Sequence, residues 1–259
     1  MSTKISGQDR QATSAPGGVG AVDRALALLD AFTLQEPALS LTELAERTGQ
    51  YKSTASRMLT SLEHAGTVHR RIDGRFSLGP AIVRLHAIYS RTFLLGDAVM
   101  PALQSLVAAT RESATFHVRQ RDDDLCLHRV DSPHAVRDSI REGDRTPLRK
   151  SAAGFVLAAF SGARGPRHAR IRREHVFIAN GDLVPELAAI AAPVFDATGA
   201  LVGAVALTMP STRLQTRHTA AVTQAALEIT TRVGGILSTD ASRAFVKGVA
   251  APGGTLVDR

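Results

Sequence analysis

Asp124, Cys126 and His128 are spaced two apart, with His117 seven residues ahead of the first. A thiol beside an imidazole can form a nucleophile with its base, and Cys, His and carboxylate side chains are zinc donors. The stretch "DLCLHRV" nevertheless alternates as a β-strand does, and two-residue spacing is what a half-buried strand gives to one of its faces. We therefore expect these residues to divide between core and solvent, with neither metal binding nor catalysis. The chain contains no Gly-x-Ser-x-Gly elbow, His-Glu-x-x-His pair or phosphate loop, so no catalytic residue and no cofactor is expected. Cys126 is the sole cysteine, which excludes an intrachain disulfide framework and fits a reducing compartment.

A second set of residues suits nucleic-acid chemistry. In "YKSTASRMLTSLEHAG", residues 51–66, helical spacing gathers Ala55, Met58, Leu59, Leu62 and Ala65 into one stripe, and Lys52, Ser53, Ser56, Arg57 and Thr60 opposite it. Lysine and arginine pair with phosphate or with guanine O6 and N7, and Ser53, Thr54 and Ser56 can meet phosphates or base edges. The 259-residue chain carries a formal charge of +7. Residues 1–80 hold nine Lys and Arg against eight Asp and Glu, yet residues 51–80 hold five against two, a local basic surplus. A rival cluster, Arg164, Arg167, Arg170, Arg172 and Arg173, reads as a solvated helix face.

The elements that must position these residues follow from pattern. "VDRALALLDAF" is an amphipathic helix with Val22, Ala25, Leu26, Leu29 and Phe32 on one face. Ser40 and Glu43 match a capping box opening "LTELAERT", and Gly49 and Gly66 can end that helix and the next. In "TVHRRIDGRFSLG", Asp73-Gly74 between β-prone runs signals a hairpin carrying Arg70, Arg71 and Arg75. Three helices and a hairpin in that order make a winged helix-turn-helix, whose third helix enters the major groove. The DNA-facing set is then Ser40, Thr42, Lys52, Ser53, Thr54, Ser56, Arg57, Arg70, Arg71 and Arg75.

"PAIVRLHAIY" continues as a helix with Ile82, Leu85 and Ile88 recurring, followed by a helical "GDAVMPALQSLVAATRES". The period then changes. "ATFHVRQ", "DLCLHRV" and "AVRDSIR" alternate as strands, "SAAGFVLAAF" is helical, "LAAIAAPVFD" and "ALVGAVALTM" are strands around Thr198-Gly199, and a long helix ends the set. Strands in a run with helices at the ends argue an α+β domain on an antiparallel sheet. No run of eighteen apolar residues could span a bilayer, and the first twenty residues lack the apolar core of a secretory signal. A cytoplasmic location without membrane contact is expected.

The order of pieces resembles the IclR family of bacterial transcriptional regulators from about Val19 to about Leu237. Three stretches carry the likeness: the helix-turn-helix segment "LSLTELAERTGQYKSTASRMLTSLEHAGTV", "GDRTPLRKSAAGFVLAAF", and "IAAPVFDATGALVGAVALTMPSTRL". The resemblance implies a winged helix joined by a linker helix to a GAF-like domain that binds a small effector. It also implies a dimer, often paired into a tetramer, on operator DNA with related half-sites. The implied division is a disordered tail at 1–18, the winged helix at 19–79, the linker at 80–94, the GAF-like domain at 95–239 and a second disordered tail at 240–259.

The resemblance further implies that the N–H groups of Ala152 and Ala153, at the start of a helix led by Ser151, hold the acid group of an organic-acid effector. Asn180 and Asp182 lie on the facing loop and Leu187 and Ala189 on the facing strand. Arg149 and Lys150 are cationic candidates beside it, and Asp138 on the "AVRDSIR" strand is assigned to the same pocket. On the residues alone, Ser151 is equally well explained as an ordinary helix cap. Arg149 stands where relatives usually have histidine, Phe155 where they commonly have lysine, and Tyr51 where a proline or small residue is usual. The 160–187 segment is shorter than usual, as though a pair of helices flanking the pocket were absent. A sensor whose first domain contacts protein instead of DNA is the alternative.

Overall fold

The structure is a computed structural model that describes residues 17–92 and 95–235. The tail expected at 240–259, and all but the last two residues of that expected at 1–18, lie outside the described residues. The chain divides into two compact units, Met1–Thr92 and Phe93–Arg259.

The first unit runs α1 (Gly20–Asp30), β1 (Ala38–Leu39), α2 (Leu41–Thr48), α3 (Lys52–His64), β2 (Val68–Arg70), β3 (Phe76–Leu78) and α4 (Ala81–Thr92). Ser40 opens α2 as expected: its hydroxyl accepts from Glu43 N at 3.2 Å, and its own N–H donates to Glu43 Oε2 at 2.7 Å. Gly49, at φ 64°, ends α2 in the left-handed region, and Gln50 ties the turn to α1 by donating to Arg24 O at 2.9 Å. The strands form an antiparallel sheet in the order β1-β3-β2. Leu28, Leu39, Leu44, Ala55, Leu59, Val68 and Phe76 close the core. The apolar stripe expected on α1 is corrected here, because Leu28 is the fully buried residue while Val22 and Leu26 are more than half exposed.

The second unit runs α5 (Leu95–Thr110), β4 (Ser113–Gln120), β5 (Asp123–Val130), β6 (Arg145–Pro147), a 3-10 turn (Leu148–Lys150), α6 (Ala152–Phe160), α7 (Pro166–Glu174), β7 (Phe177–Asn180), β8 (Leu187–Phe195), β9 (Leu201–Pro210), a second 3-10 turn (Ser211–Arg213) and α8 (Thr216–Arg232). Its six strands form an antiparallel sheet in the order β6-β5-β4-β9-β8-β7. Both faces are covered, so β8 and β9 read as almost unbroken apolar runs.

The two faces differ in side-chain size. Phe116, Ile190, Val205, Leu207 and Met209 pack with residues of α5 and α8, whereas Ala191, Ala204 and Ala206 lie under α6 with Leu148, Val156 and Leu157. Small residues on that second face leave room for a cavity.

One expectation changes. The "AVRDSIR" segment is irregular rather than a strand, because Arg129 holds Asp138 from β5: Nη1 donates to Asp138 Oδ1 at 2.7 Å, and Asp138 Oδ1 also accepts from Ile140 N. A carboxylate committed to a local turn and a guanidinium is poorly placed to extend a ladder. The 160–187 segment is occupied by α7 and β7.

Candidate nucleic-acid interface and ligand cavity

On α3, Ala55 and Leu59 are buried and Met58 and Leu62 half-buried, while Lys52, Ser53, Ser56, Arg57 and Thr60 are exposed and Thr54 is intermediate. Ala65, expected on the buried stripe, is exposed just past the end of the helix. Lys52 and Arg57 have no acidic partner among the described residues. Tyr51 is the N-cap and makes no side-chain cap bond, so the N–H groups of the first turn face solvent at the positive end of the helix dipole. Such an end suits a phosphate.

Other members of the expected set are spent on structure. Ser40 caps α2, and Thr42 is half-buried in its first turn. Arg75 donates from Nε and Nη2 to Ala38 O, at 3.2 and 3.0 Å, and from Nη2 to the Glu43 carboxylate at 2.9 Å. It therefore braces the wing against β1 and α2. Arg70 lies 5.6 Å from the Phe76 ring centroid, and Arg71 is 3.6 Å from Asp73 in an exposed pair that leaves it free to exchange partners.

The second unit contains a small cavity of about 80 Å³ between the start of α6 and the alanine-lined face of the sheet. Of the residues assigned to an effector pocket, Lys150, Ser151, Ala152, Ala153, Leu187 and Ala189 line it. His117, Ile140, Ala179, Leu183, Val184, Ala206 and Thr208 also line it and were not foreseen. Arg149, Asn180 and Asp182 are exposed and do not contribute to its wall, and Asp182 closes a turn by accepting from Asn180 N at 2.9 Å. Asp138 faces Arg129 instead, with its side chain 2 % exposed.

A chain of hydrogen bonds fixes the start of α6. Ser151 Oγ accepts from Gly154 N at 2.8 Å and donates to Asp124 Oδ2. Asp124 Oδ1 meets His117 Nδ1 at 2.7 Å, and His117 Nε2 meets Thr115 Oγ1 at 2.9 Å. Gly154 allows the close approach this needs, since a Cβ there would stand 2.4 Å from Leu148 O. The first-turn N–H groups of Ala152 and Ala153 have no intrahelical acceptor, and their residues are 3 % and 2 % exposed beside the cavity. An anion fits there.

The same chain answers the question of nucleophilic chemistry. The Asp124 carboxylate stands between the Ser151 hydroxyl and the His117 imidazole, so the imidazole does not reach that hydroxyl as the general base of a serine nucleophile. Burial pushes the Cys126 thiol up to about 12, which disfavours the thiolate. Among the described residues, no group of three His, Cys, Asp or Glu side chains could hold a metal ion.

The basic cluster is mostly a solvated face, as expected: Arg164, just before α7, and Arg167, Arg170 and Arg173 on it are exposed, and Arg172 is half-buried. Arg172 Nη1 donates to Ala159 O and Ala163 O at 2.7 and 2.8 Å, Arg170 pairs with Glu174, and the Arg167 guanidinium lies 4.9 Å from the Phe155 ring centroid. Phe155 thus has a stacking partner. Among the described residues, no helix is long and apolar enough to cross a membrane.

Comparison with known proteins agrees with both halves. Residues 21–71 match the family described as the IclR helix-turn-helix domain, and residues 167–233 match the bacterial transcriptional regulator IclR C-terminal family. The HTH-type transcriptional regulator BhcR of Paracoccus denitrificans is 26% identical over 238 residues, 82% of this chain and 85% of that one. A crystal structure of an IclR-type regulator from Silicibacter sp. superposes with a TM-score of 0.76 at 24% identity, covering 85% of this chain and 99% of that chain. An IclR homologue from Microbacterium hydrocarbonoxydans, solved in complex with 4-hydroxybenzoate, gives 0.71 at 22% identity over 82% and 98%. At these identities the solved structures speak to fold alone.

Proposed function

The chain belongs to the IclR family of transcriptional regulators, which are not enzymes, and from that premise we propose that it is switched by a small organic acid bound at the start of α6. Its first unit is a DNA-binding helix-turn-helix. Lys52, Ser53, Ser56 and Arg57 of α3 read operator DNA in the major groove, with Thr54 and Thr42 at the margin and Arg70 and Arg71 meeting phosphate from the wing. Arg75 and Ser40 act one step back, by holding the wing and α2 in place.

The observation that carries the effector reading is the pair of unpaired N–H groups at Ala152 and Ala153 facing a cavity with otherwise mainly apolar walls. Lys150 adds a positive charge at that cavity. A carboxylate satisfies the helix start, and a compact apolar body suits Ile140, Leu183, Val184 and Leu187. The Microbacterium homologue's 4-hydroxybenzoate has that chemistry.

Titration calorimetry against aromatic and short-chain carboxylates tests the reading. Binding is expected for at least one acid and should vanish in Ala152→Glu with its fold checked by circular dichroism, and silence across a broad panel overturns it. Effector binding shifts DNA affinity only through unequal affinity for two arrangements of the protein, typically on the order of 1–3 kcal/mol. Self-association as a dimer or tetramer belongs to the same proposal. It is supported by the exposed apolar side chains of Val22 and Leu26 on α1 and of Val83 and Leu85 on α4. Sedimentation velocity should show a species of at least twice the monomer mass.

A further inference from the structure

His117 stands in the wall of the α6 cavity, 3 % exposed on β4, with both ring nitrogens bonded. Nδ1 lies 2.7 Å from Asp124 Oδ1, and because a carboxylate only accepts, Nδ1 carries a proton. Nε2 lies 2.9 Å from Thr115 Oγ1. A hydroxyl can turn either way: Thr115 donates to a neutral imidazole or accepts from an imidazolium. His117 can therefore gain or lose a charge at Nε2 without losing a hydrogen bond.

The charges around the cavity give that freedom a use. Asp124 is fully buried, and its second oxygen accepts from the Ser151 hydroxyl at the start of α6. With its proton committed to Asp124 and its oxygen to Gly154 N, Ser151 cannot donate to an acid, which is left the N–H groups of Ala152 and Ala153. Two carboxylates then share one helix start within mainly apolar walls, where like charges repel far more than in water. Little else offsets them. Lys150 lines the cavity but is itself exposed. Asp123 faces Arg145 at 3.3 Å, Asp138 is held by Arg129, and Arg119 is exposed and donates to Arg121 O. The Cys126 thiol, opposite His117 in the ladder, stays protonated, and the side chains of α6, β8 and β9 bring no charge. His128 lies by α5 instead, 3.5 Å from where a Cβ on Gly96 would stand.

We propose that the cavity takes up an organic acid together with one proton, which His117 accepts from solvent at Nε2, so that the imidazolium offsets the second carboxylate. The proposal rests on the reading of the α6 start as an acid site and adds pH control to it. Asp124 is then a positioning residue that acts through Ser151, and His117 balances the charge. Imidazole changes charge near neutral pH, so the grip on the acid tightens as pH falls.

Titration calorimetry of the full chain with benzoate and with propionate, both ionised near neutral pH, tests this. Repeating it at about pH 7 in PIPES and in Tris counts the protons, because the buffer that supplies them adds its own heat of ionisation. The wild type should take up a sizeable fraction of one proton per acid bound, and its affinity should fall by up to about tenfold per pH unit between roughly pH 6 and 8. That result needs no variant. His117→Asn, whose amide nitrogen can stand where Nδ1 does, should bind without proton uptake and with a flat pH profile. Asp124→Asn removes the repelling charge, so it too should lose the pH dependence.

Equal heats in both buffers, with one affinity across that pH range, overturn the proposal and leave the acid site standing. Uptake that persists in His117→Asn also overturns it, by placing the proton elsewhere. So does an Asp124→Asn protein that is weaker at every pH with its buffer dependence intact, since the pair then only holds the helix start. If neither probe binds at any pH in this range, the acid site itself fails, and the proposal with it.

Discussion

Two helix starts in this molecule have the same backbone chemistry and opposite surroundings. At α3 the cap is Tyr51, which bonds no N–H, and the first turn is exposed with Lys52 and Ser53 beside it. At α6 the cap is Ser151, which bonds Gly154 N, and the first turn is buried beside a cavity with Ala152 and Ala153. Both offer unpaired N–H groups and the positive end of a dipole. Water screens the first, so it suits a polyanion that brings many contacts at once; the second sits in apolar surroundings, so one carboxylate is enough to fill it. Burial rather than sequence chemistry separates the two roles.

Substitutions can break that contrast, and the largest effect is expected at α6. Gly154→Ala forces a Cβ to within 2.4 Å of Leu148 O, so the α6 start must shift or unwind. Unfolding of the second unit should lose at least about 1–3 kcal/mol, read by denaturant titration. Gly49→Ala at the end of α2 meets nothing within 4 Å and carries only its φ of 64°, so it should cost roughly 1–2 kcal/mol in the first unit.

Ser151→Ala comes next. It removes the cap on Gly154 and a donor to the buried Asp124, together about 1–3 kcal/mol of stability, and should weaken any acid that binds in calorimetry. The opposite operation at α3 is Tyr51→Asp, which supplies the missing cap. Thermal stability should rise by an amount equivalent to about 0.5–1 kcal/mol while DNA affinity falls, because the carboxylate takes the N–H groups offered to phosphate. A variant that melts later and binds as tightly as the wild type would show that the α3 start does not meet DNA.

Acid sharpens the comparison with smaller effects. His218 Nδ1 accepts from Gln215 N at 3.3 Å at the start of α8, and burial, reinforced by Arg217, holds its pKa below 6.5. A depressed histidine contributes stability that is present above pH 6.5 and lost as pH falls through its folded value. Hydrogen bonds from the Ser40 backbone and side chain, with Arg75 nearby, hold Glu43 below 4.5, so its contribution is present above that pH and lost as pH falls further. Amide exchange followed by pH should therefore loosen the α8 start before the α2 start.

The capping box at Ser40 and Glu43, the turn at Gly49 and the polar face of α3 were legible because each depends on residues within four positions of one another. The first turn of α6 was legible in kind, as a cap followed by small residues. Its cavity was not, because the space opens between the start of α6 and Ala179, Ala189 and Ala206, small residues that come from three different strands later in the chain. His117 was assigned to a half-buried strand cluster, and nothing local shows that it faces α6; its orientation follows from its register with Ala204 and the irregularity between Phe116 and His117. Asp138 was misplaced because Arg129, nine residues earlier, pulls its segment out of the sheet. On α1 the stripe reading could not tell Leu26, exposed, from Leu28, buried, since both are leucines and only the fold decides which is covered.

The central claim, that the open start of α3 reads DNA under control of the enclosed start of α6, is most directly tested by one titration. Affinity for the upstream duplex should be measured against salt for the wild type, Lys52→Ala and Arg57→Ala, each with and without an acid that binds the second unit. The account predicts a steep salt dependence whose slope falls by about one for each substitution at a phosphate, and a wild-type affinity that changes when the acid is added. Binding that is flat in salt, or indifferent to both substitutions and to the acid, would contradict it.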